Sequence, residues 1–249
     1  MTPSNENLTQ VLNSLIDSGQ LGNPSIAFLG GSYAEGFNTS TSDLDLYCLH
    51  EKFVGTRTHF LKKDQWDFDI EHWDSVRVED LRLKIAKEPE NLNPIELNFL
   101  RNLRIARVFY GNPAELDLLK ASISYDRVAK TFVRRFGGAA ISSIDDANGA
   151  LKSGDLATAV LSSRFALELS VKALLAARNC FNWKEKWLYR SLQTVDPERK
   201  LTQEFLQNTL VGFEADPKPK IEEVLSLTAR LVNAANLERA FYSDEGRKP

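Results

Sequence analysis

The chain has 249 residues, 43% of them hydrophobic and 26% charged, a composition typical of a soluble globular protein with one large domain or two small ones. No apolar run approaches the roughly 18 residues that span a bilayer, and the polar start "MTPSNENLTQ" lacks the features of a secretory signal. The net charge of −3 disfavours a general electrostatic hold on nucleic acid, and we expect a cytoplasmic protein that binds no membrane.

The N-terminal part of the chain predicts a small mixed β-sheet. Helical spacing of apolar residues occurs over 6–19, and strands are predicted at 25–29, 43–48, 56–61 and 65–73. The stretch "GGSYAEGF" after the first strand is typical of a tight turn that opens a short helix. Both of the last two strands are expected to pair with residues 43–48.

From residue 75 onward the apolar period becomes helical. Helices are predicted at 78–88, 94–111, 124–152, 155–179, 186–193, 201–213 and 219–243. Asp155 is the predicted N-cap of the helix over 155–179. Strands followed only by helices indicate an α+β protein, in which a mixed sheet precedes an all-α helical bundle. We place the two domains at residues 1–112 and 113–249.

The stretch "FLGGSYAEGFNTSTSDLDLYCLH", residues 28–50, combines two features that suit phosphate chemistry. Gly30 and Gly31 permit close backbone approach, their N–H groups are expected to be free at a helix start, and Ser32 adds a hydroxyl donor. Asp43 and Asp45 alternate along a strand and therefore point to one face, where the two carboxylates repel each other unless a cation lies between them. Mg²⁺, a hard cation that prefers oxygen ligands, is the natural partner.

A later strand offers a third carboxylate. The stretch "WDFDIEHW" places Asp67, Asp69 and Glu71 on one face, and one of them faces Asp43 and Asp45 if the two strands are neighbours. A third ligand would let two metal ions share the site. Such a site, beside phosphate donors, suits an in-line displacement at a nucleotide phosphorus.

The stretch "GGSYAEGFNTSTSDLDLYC" and the later "FDI" resemble the signature of the DNA polymerase beta-like nucleotidyltransferase superfamily. The resemblance covers roughly residues 25–73 by motif. It extends more loosely to the whole chain, because small bacterial members, such as aminoglycoside-type and minimal nucleotidyltransferases, often carry a helical bundle after this core. It implies transfer of a nucleoside monophosphate from an NTP, by default ATP, to a hydroxyl, with two Mg²⁺ ions and release of pyrophosphate.

The resemblance also implies which residues of the turn hold the triphosphate: Gly31 and Ser32, supported by Gly30. Many small members of the superfamily read GS-x-A-R-G, and their arginine supports the site. Glu35 stands at that position here, and we expect it to lie at the surface.

For the acids, the resemblance implies that Asp43 and Asp45 ligate both metal ions. Asp69 is the best match to the third acid, which ligates the catalytic metal and helps to deprotonate the acceptor. Asp67 and Glu71 remain alternatives for this third ligand, and whichever acids are not ligands are expected to be exposed strand charges.

The helical half offers one candidate stripe. Arg164, Glu168 and Lys172 recur every four residues and share one helix face. One interpretation is a ladder of ion pairs on a solvated face, worth a few tenths of a kcal/mol per pair. The other directs the stripe toward the acceptor, with Glu168 as acceptor ligand or general base and with Arg164 and Glu71 as further acceptor contacts.

Three functional hypotheses follow. The leading one is a nucleotidyltransferase whose first domain binds the NTP and Mg²⁺ and whose bundle completes the site for a small hydroxylated acceptor, such as an aminoglycoside-like antibiotic. A second keeps the reaction but modifies a protein side chain or a tRNA end in a toxin–antitoxin context, and a tRNA would need a basic surface track. A third is a catalytically inactive nucleotide-binding or interaction module.

Overall fold

The computed structural model describes residues 5–53, 55–210 and 216–245. The first half contains α1 (Asn5–Asp17), β1 (Ile26–Leu29), α2 (Gly31–Glu35), β2 (Leu44–His50), β3 (Thr58–Lys63), β4 (Trp66–Asp74), α3 (Ser75–Lys87), α4 (Pro94–Ile105), β5 (Arg107–Tyr110) and α5 (Pro113–Ser122). The second half contains α6 (Tyr125–Ser153), α7 (Leu156–Ala177), α8 (Leu188–Val195), α9 (Lys200–Leu210) and α10 (Lys218–Glu245). The predicted α+β class, with helices after a mixed sheet, is confirmed.

The strands form one five-stranded sheet in the order β3-β4-β2-β1-β5. The β2–β4 pair is parallel and the other pairs are antiparallel, so the sheet is mixed as predicted. The expectation that both later strands pair with β2 is wrong for β3, because β4 lies between β3 and β2. β3 therefore forms an edge of the sheet.

The fifth strand lies where the sequence predicts a helix. The helix predicted over 94–111 ends at Ile105, and residues 107–110 form β5 beside β1. The run "RVFY" is rich in β-branched and aromatic residues, which favour a strand once a neighbouring strand edge is available. Long-range pairing with β1 therefore overrides the local helical period.

The two faces of the sheet pack against different partners. One face is covered by α1, and its apolar core includes Leu12, Leu15, Leu46, Phe68 and Ile70. Alternation along β2 and β4 places Asp45, Tyr47, Asp69, Glu71 and Trp73 on the other face. We call this second surface the acid face.

Aromatic rings fill the deeper part of the acid face. Tyr47 stacks on Phe28 with 5.2 Å between ring centroids. Trp73 stacks on Phe99 of α4 at 3.8 Å. These four side chains are among the largest that are almost completely buried. Their burial fixes α4 against the acid face, which matters for the site described below.

The chain divides into two compact units at residue 124, later than the predicted boundary at 112/113. The helix α5 accounts for the difference. Its N-cap is Asn112, whose side chain accepts a hydrogen bond from the N–H of Ala114 at 3.0 Å, and Pro113 occupies the first helical position. The "NP" pair therefore begins a helix of the first unit.

The second unit is built on α6, α7 and α10. Small side chains allow close approach between these helices, and one buried cluster contains Ala147, Ala159 and Ile221. Asp155 caps α7 as predicted, because its carboxylate accepts the N–H of Thr158 at 3.1 Å. Within the described ranges, no helix combines the length and apolar character needed to cross a membrane.

The three histidines of the chain meet at the far end of β2 and β4. His50 Nε2 and His72 Nδ1 are 2.9 Å apart, and His59 stacks on His72 with 5.2 Å between centroids. Phe53 stacks on the ring of His72 at 4.2 Å. Burial, together with the neighbouring His50, His59 and Arg57, lowers the pKa of His72 to about 4. His72 is therefore neutral in the folded protein at neutral pH.

This lowered pKa predicts a loss of stability in acid. In the unfolded chain His72 has a pKa near 6.5, so between about pH 6.5 and pH 4 the unfolded state binds more protons. The free energy of unfolding should fall as pH falls through that window, by about 1–2 kcal/mol from this group. The variant His72→Asn keeps a polar group near His50 but does not titrate.

Denaturant unfolding at pH 7 and pH 5 measures this effect. We expect the variant to lose less stability than the wild type over this interval. Gln65→Asn, a change at an exposed residue in the turn before β4, serves as the control and should keep the wild-type loss. Equal losses for wild type and His72→Asn would contradict the assignment.

Candidate active site

The turn between β1 and α2 is built against Asp45. The N–H of Gly30 donates to the carbonyl oxygen of Asp45 at 2.9 Å. Gly31 has a φ of +59°, and a Cβ at this position would lie 1.6 Å from Oδ2 of Asp45. Only glycine fits here, because any side chain would displace the Asp45 carboxylate and would be strained in the left-handed region.

Asn102 of α4 holds this turn from the other side. Its Oδ1 accepts the N–H of Gly31 at 2.6 Å, while its Nδ2 donates to the Tyr47 hydroxyl at 2.6 Å and to the carbonyl of Asn98 at 2.8 Å. Asn102 is completely buried, and a Cβ on Gly30 would meet it at 2.8 Å. One amide thus joins the glycine turn, α4 and the strand that carries Asp45.

Asp45 and Asp69 lie side by side on the acid face. They are direct register partners on the parallel strands β2 and β4, and both are half-buried. Asp43 is exposed and lies one residue before β2 begins. The predicted gathering of all three is not present: within the described ranges, no three His, Cys, Asp or Glu side chains lie close enough to hold a metal ion.

Glu71 is buried and held by its own strand neighbours. Trp73 Nε1 donates to Glu71 Oε1 at 2.6 Å, and Arg77 of α3 lies 3.5 Å from the same oxygen. Burial raises the pKa of Glu71, and the charges of Asp69 and Asp45 raise it further, against the lowering effect of Trp73 and Arg77. The expectation of an exposed strand charge is wrong for Glu71.

Asp67 matches the expectation of an exposed strand charge. Its side chain is 65% exposed and lies 3.4 Å from Lys62 of β3. Asp69 is thus the acid of β4 that is directly paired with Asp45, with Asp67 more exposed and Glu71 more buried.

Two expectations for the glycine turn are wrong. The N–H groups of Gly30 and Gly31 are not free, because they donate to Asp45 and Asn102. Glu35 does not lie at the surface: its side chain is 11% exposed and pairs with the buried Arg101 of α4 at 3.0 Å. Sequence reasoning missed α4 as a partner of this turn, although polar residues on the buried side of an amphipathic helix were a usable signal.

The turn, the strands and the acids together match a known domain. The family model described as a nucleotidyltransferase domain matches residues 17–128, which include Asp43, Asp45 and the three acids of β4. These residues form a nucleotidyltransferase domain of the DNA polymerase beta-like superfamily.

The crystal structure of a nucleotidyltransferase-like protein from Exiguobacterium sibiricum 255-15 is similar in fold, with a TM-score of 0.51 and 12% sequence identity. The alignment covers 96% of this chain and 79% of that chain. No curated protein matches the chain. The nucleotidyltransferase domain supports nucleotidyl transfer in general and implies an NTP as substrate.

The candidate acceptor residues outside this domain lie on α7. Lys172 is buried and pairs with Glu185 at 2.5 Å, so the expected solvated ladder is wrong at this position. Arg164 is exposed and donates to the carbonyl of Thr209 at 3.4 Å, and Glu168 is half-buried. The proposed acceptor role of Arg164 and Glu168 stays a prediction.

The contact between position 31 and Asp45 predicts the effect of Gly31→Ala. The added Cβ should push the Asp45 carboxylate out of place, and a displacement of this size lowers nucleotidyl transfer by about 100-fold or more. The strained φ should also lower the free energy of unfolding by about 1–2 kcal/mol.

Gly19→Ala is the matched control, because Gly19 has a φ of +70° and a Cβ there would meet nothing within 4 Å. It should show a similar loss of stability with normal turnover. Steady-state rates and denaturant unfolding give both quantities, and full activity in Gly31→Ala would refute the contact.

The hydrogen bonds of Asn102 predict a second effect. Asn102→Ala removes three bonds and leaves the buried N–H of Gly31 without its acceptor, which should cost about 2–4 kcal/mol of unfolding free energy. Catalytic rate should fall as well, because the turn beside Asp45 loses its support. Asn98→Ala, which removes a bond to Tyr47 but none to the turn, should lower stability without a comparable loss of rate.

Thermal unfolding and turnover at saturating NTP, measured on both variants, distinguish these outcomes. The same ratio of activity loss to stability loss in both would show that Asn102 has no specific role at the turn.

Proposed function

We propose that this protein transfers a nucleoside monophosphate from an NTP, ATP as the default, to a hydroxyl group of a small acceptor such as an aminoglycoside-like compound, and releases pyrophosphate. The observation that carries the proposal is the position of Asp45. Its carboxylate packs on the Gly31 backbone on one side and has Asp69 as its register partner on the other. Such an arrangement suits a nucleotide phosphate beside paired carboxylates.

The residues present fit a divalent cation of the Mg²⁺ type. Asp45 and Asp69 offer oxygen ligands from adjacent strands, and the missing side chain of Gly31 leaves room for the first of them. Their charges also contribute to the raised pKa of Glu71, as expected where negative charges crowd together. We propose Asp45 and Asp69 as ligands and Asp43 as a third, which must move toward them on metal binding because the three carboxylates do not already lie together. When bound, the metal supplies neutralisation of phosphate charge and polarisation of the reacting oxygens.

Each side chain then has a defined task. The turn at Gly30 and Gly31 holds the Asp45 carboxylate in place. The N–H groups of these two glycines already donate to acceptors within the protein, so the Ser32 hydroxyl is the donor of this turn to the triphosphate. Asp69 accepts the proton of the acceptor hydroxyl. The acceptor oxygen forms a bond to the α-phosphorus as the bond to the bridging oxygen breaks, and pyrophosphate leaves with that electron pair.

The test is a transfer assay with the two acids removed one at a time. The wild type is incubated with α-labelled ATP, GTP, CTP or UTP, Mg²⁺ and a panel of hydroxylated acceptors, and both labelled product and pyrophosphate are measured. Asp45→Asn and Asp69→Asn should lower transfer by about 1,000-fold or more, since each removes a negative charge from the reacting centre. Asp80→Asn, an exposed acid of α3, should retain wild-type activity.

A catalytically inactive module would release no pyrophosphate with any NTP, which would overturn the proposal. If tRNA or a protein is modified and no small acceptor is, nucleotidyl transfer is retained as the reaction and the proposed small acceptor is replaced by a macromolecule.

A further inference from the structure

The edge strand β3 directs one row of backbone groups away from the sheet. The carbonyl oxygen of Arg57 accepts the N–H of His72 at 2.8 Å, and this pair continues the antiparallel register of β3 and β4. Hydrogen-bonded pairs alternate along such a ladder, so residues 59, 61 and 63 direct their N–H and C=O groups toward β4. The same groups of Thr58, Phe60 and Lys62 point outward, where no described strand lies.

The outward-facing residues also carry exposed side chains. Thr58, Phe60 and Lys62 are exposed, whereas the residues between them are half-buried. Phe60 is 81% exposed, more than any other large hydrophobic residue that the structure describes. An edge with unpaired backbone groups and a large aromatic ring is a template for the addition of another strand.

A second copy of this chain fits the edge, and two-fold symmetry favours β3 as the strand that it contacts. The opposite edge, β5, has four residues against the six of β3, and its two central side chains are half-buried. Pairing of β3 with β5 of another copy would repeat without closing and would give an open filament. Pairing of β3 with its own copy closes after two subunits.

A two-fold axis at Phe60 gives the pairing that uses all of the outward groups. Phe60 then lies opposite the partner's Phe60, and Thr58 lies opposite the partner's Lys62. Each hydrogen-bonded pair of an antiparallel ladder exchanges two bonds, so this register forms about six. In the two neighbouring registers, one of the three residues faces Thr56 or Asp64, which lie outside the strand.

The charges of the strand are compatible with this register. Lys62 faces no other lysine, and its ammonium group lies 3.4 Å from Asp67 of its own subunit. Lys63 lies opposite the partner's Arg57, and each Arg57 is paired with Asp74 of its own subunit at 2.8 Å. Lysines on an edge strand oppose registers in which they meet, so they restrict the possible pairings.

We propose that β3 is the interface of a symmetric dimer, in which two sheets join edge to edge with Phe60 against Phe60. One strand pair buries less than the roughly 1,000 Å² of a stable interface, so the dimer is reversible and depends on concentration. The axis is perpendicular to the sheet, so both acid faces lie on the same side of the joined sheet. This interface does not depend on the proposed function.

Sedimentation velocity from about 1 µM to about 500 µM protein measures the association. The wild type should pass from monomer to dimer within this range. Phe60→Asp removes the aromatic contact and places two carboxylates opposite each other, so it should raise the dissociation constant by about 10-fold or more. Phe60→Trp should retain the dimer. Tyr110→Asp, at an exposed residue of the opposite edge, is the control and should leave it unchanged.

Thr58→Pro tests the backbone contribution. Proline removes an N–H that points away from β4, so the ladder within the monomer keeps its bonds while the dimer loses two. Dimerisation should weaken, and denaturant unfolding at low protein concentration should show that the monomer remains folded.

Cysteine cross-linking tests the register. In a Cys180→Ser background, where Cys48 is buried, Phe60→Cys places two thiols on residues whose Cα atoms are about 5.5 Å apart, a separation that suits a disulfide. Mild oxidation should therefore give a covalent dimer. Thr58→Cys, at an equally accessible position of the same strand, should not cross-link to its own copy, because about 13 Å of strand separates the two.

Three results would overturn the proposal. A wild type that stays monomeric over the whole concentration range excludes the dimer. A dimer that Phe60→Asp leaves unchanged, or one in which Thr58→Cys cross-links as fast as Phe60→Cys, assigns association to another surface. These measurements use no nucleotide, so their failure is distinct from a failure of nucleotidyl transfer.

Discussion

The carboxylate of Asp45 occupies the space that a side chain at position 31 would fill, and the rest of the site depends on this contact. It requires glycine at position 31, a positive φ and a turn drawn close to β2. Asn102 stabilises the turn by accepting the Gly31 N–H from α4. A buried, fully bonded amide is well suited to this task, because its two donors and its acceptor fix its orientation without adding a charge.

The packing of α4 explains how a short turn can be held so firmly. Phe99 stacks on Trp73 while Asn102, one helical turn later, reaches the glycine turn. Arg101 on the same helix pairs with Glu35 at the end of α2. Apolar burial thus fixes the helix, and the helix in turn places its polar side chains at both ends of α2.

Local patterns revealed much of this fold and rather less of the site. Alternation in "DLDLYC" and "WDFDIEHW" is a property of single strands, so the sequence predicted both strands and the shared face of their acids. The strand β5 and the edge position of β3 depend on pairing between distant segments, which no local period encodes. The role of Asn102 was hidden for the same reason, since 71 positions separate it from Gly31.

The gradient of burial along β4 supports our proposal that Asp69, among the three acids of this strand, is the metal ligand. Glu71 lies deep in the aromatic part of the acid face, where Trp73 and Arg77 already bond it and burial raises its pKa, so its negative charge is costly. Asp67 is 65% exposed and lies 3.4 Å from Lys62, so its charge is largely screened by solvent. Asp69 lies between these extremes, half-buried and directly beside Asp45. We infer that this intermediate position, beside Asp45 and fixed by its strand, makes Asp69 suitable for metal binding and proton transfer.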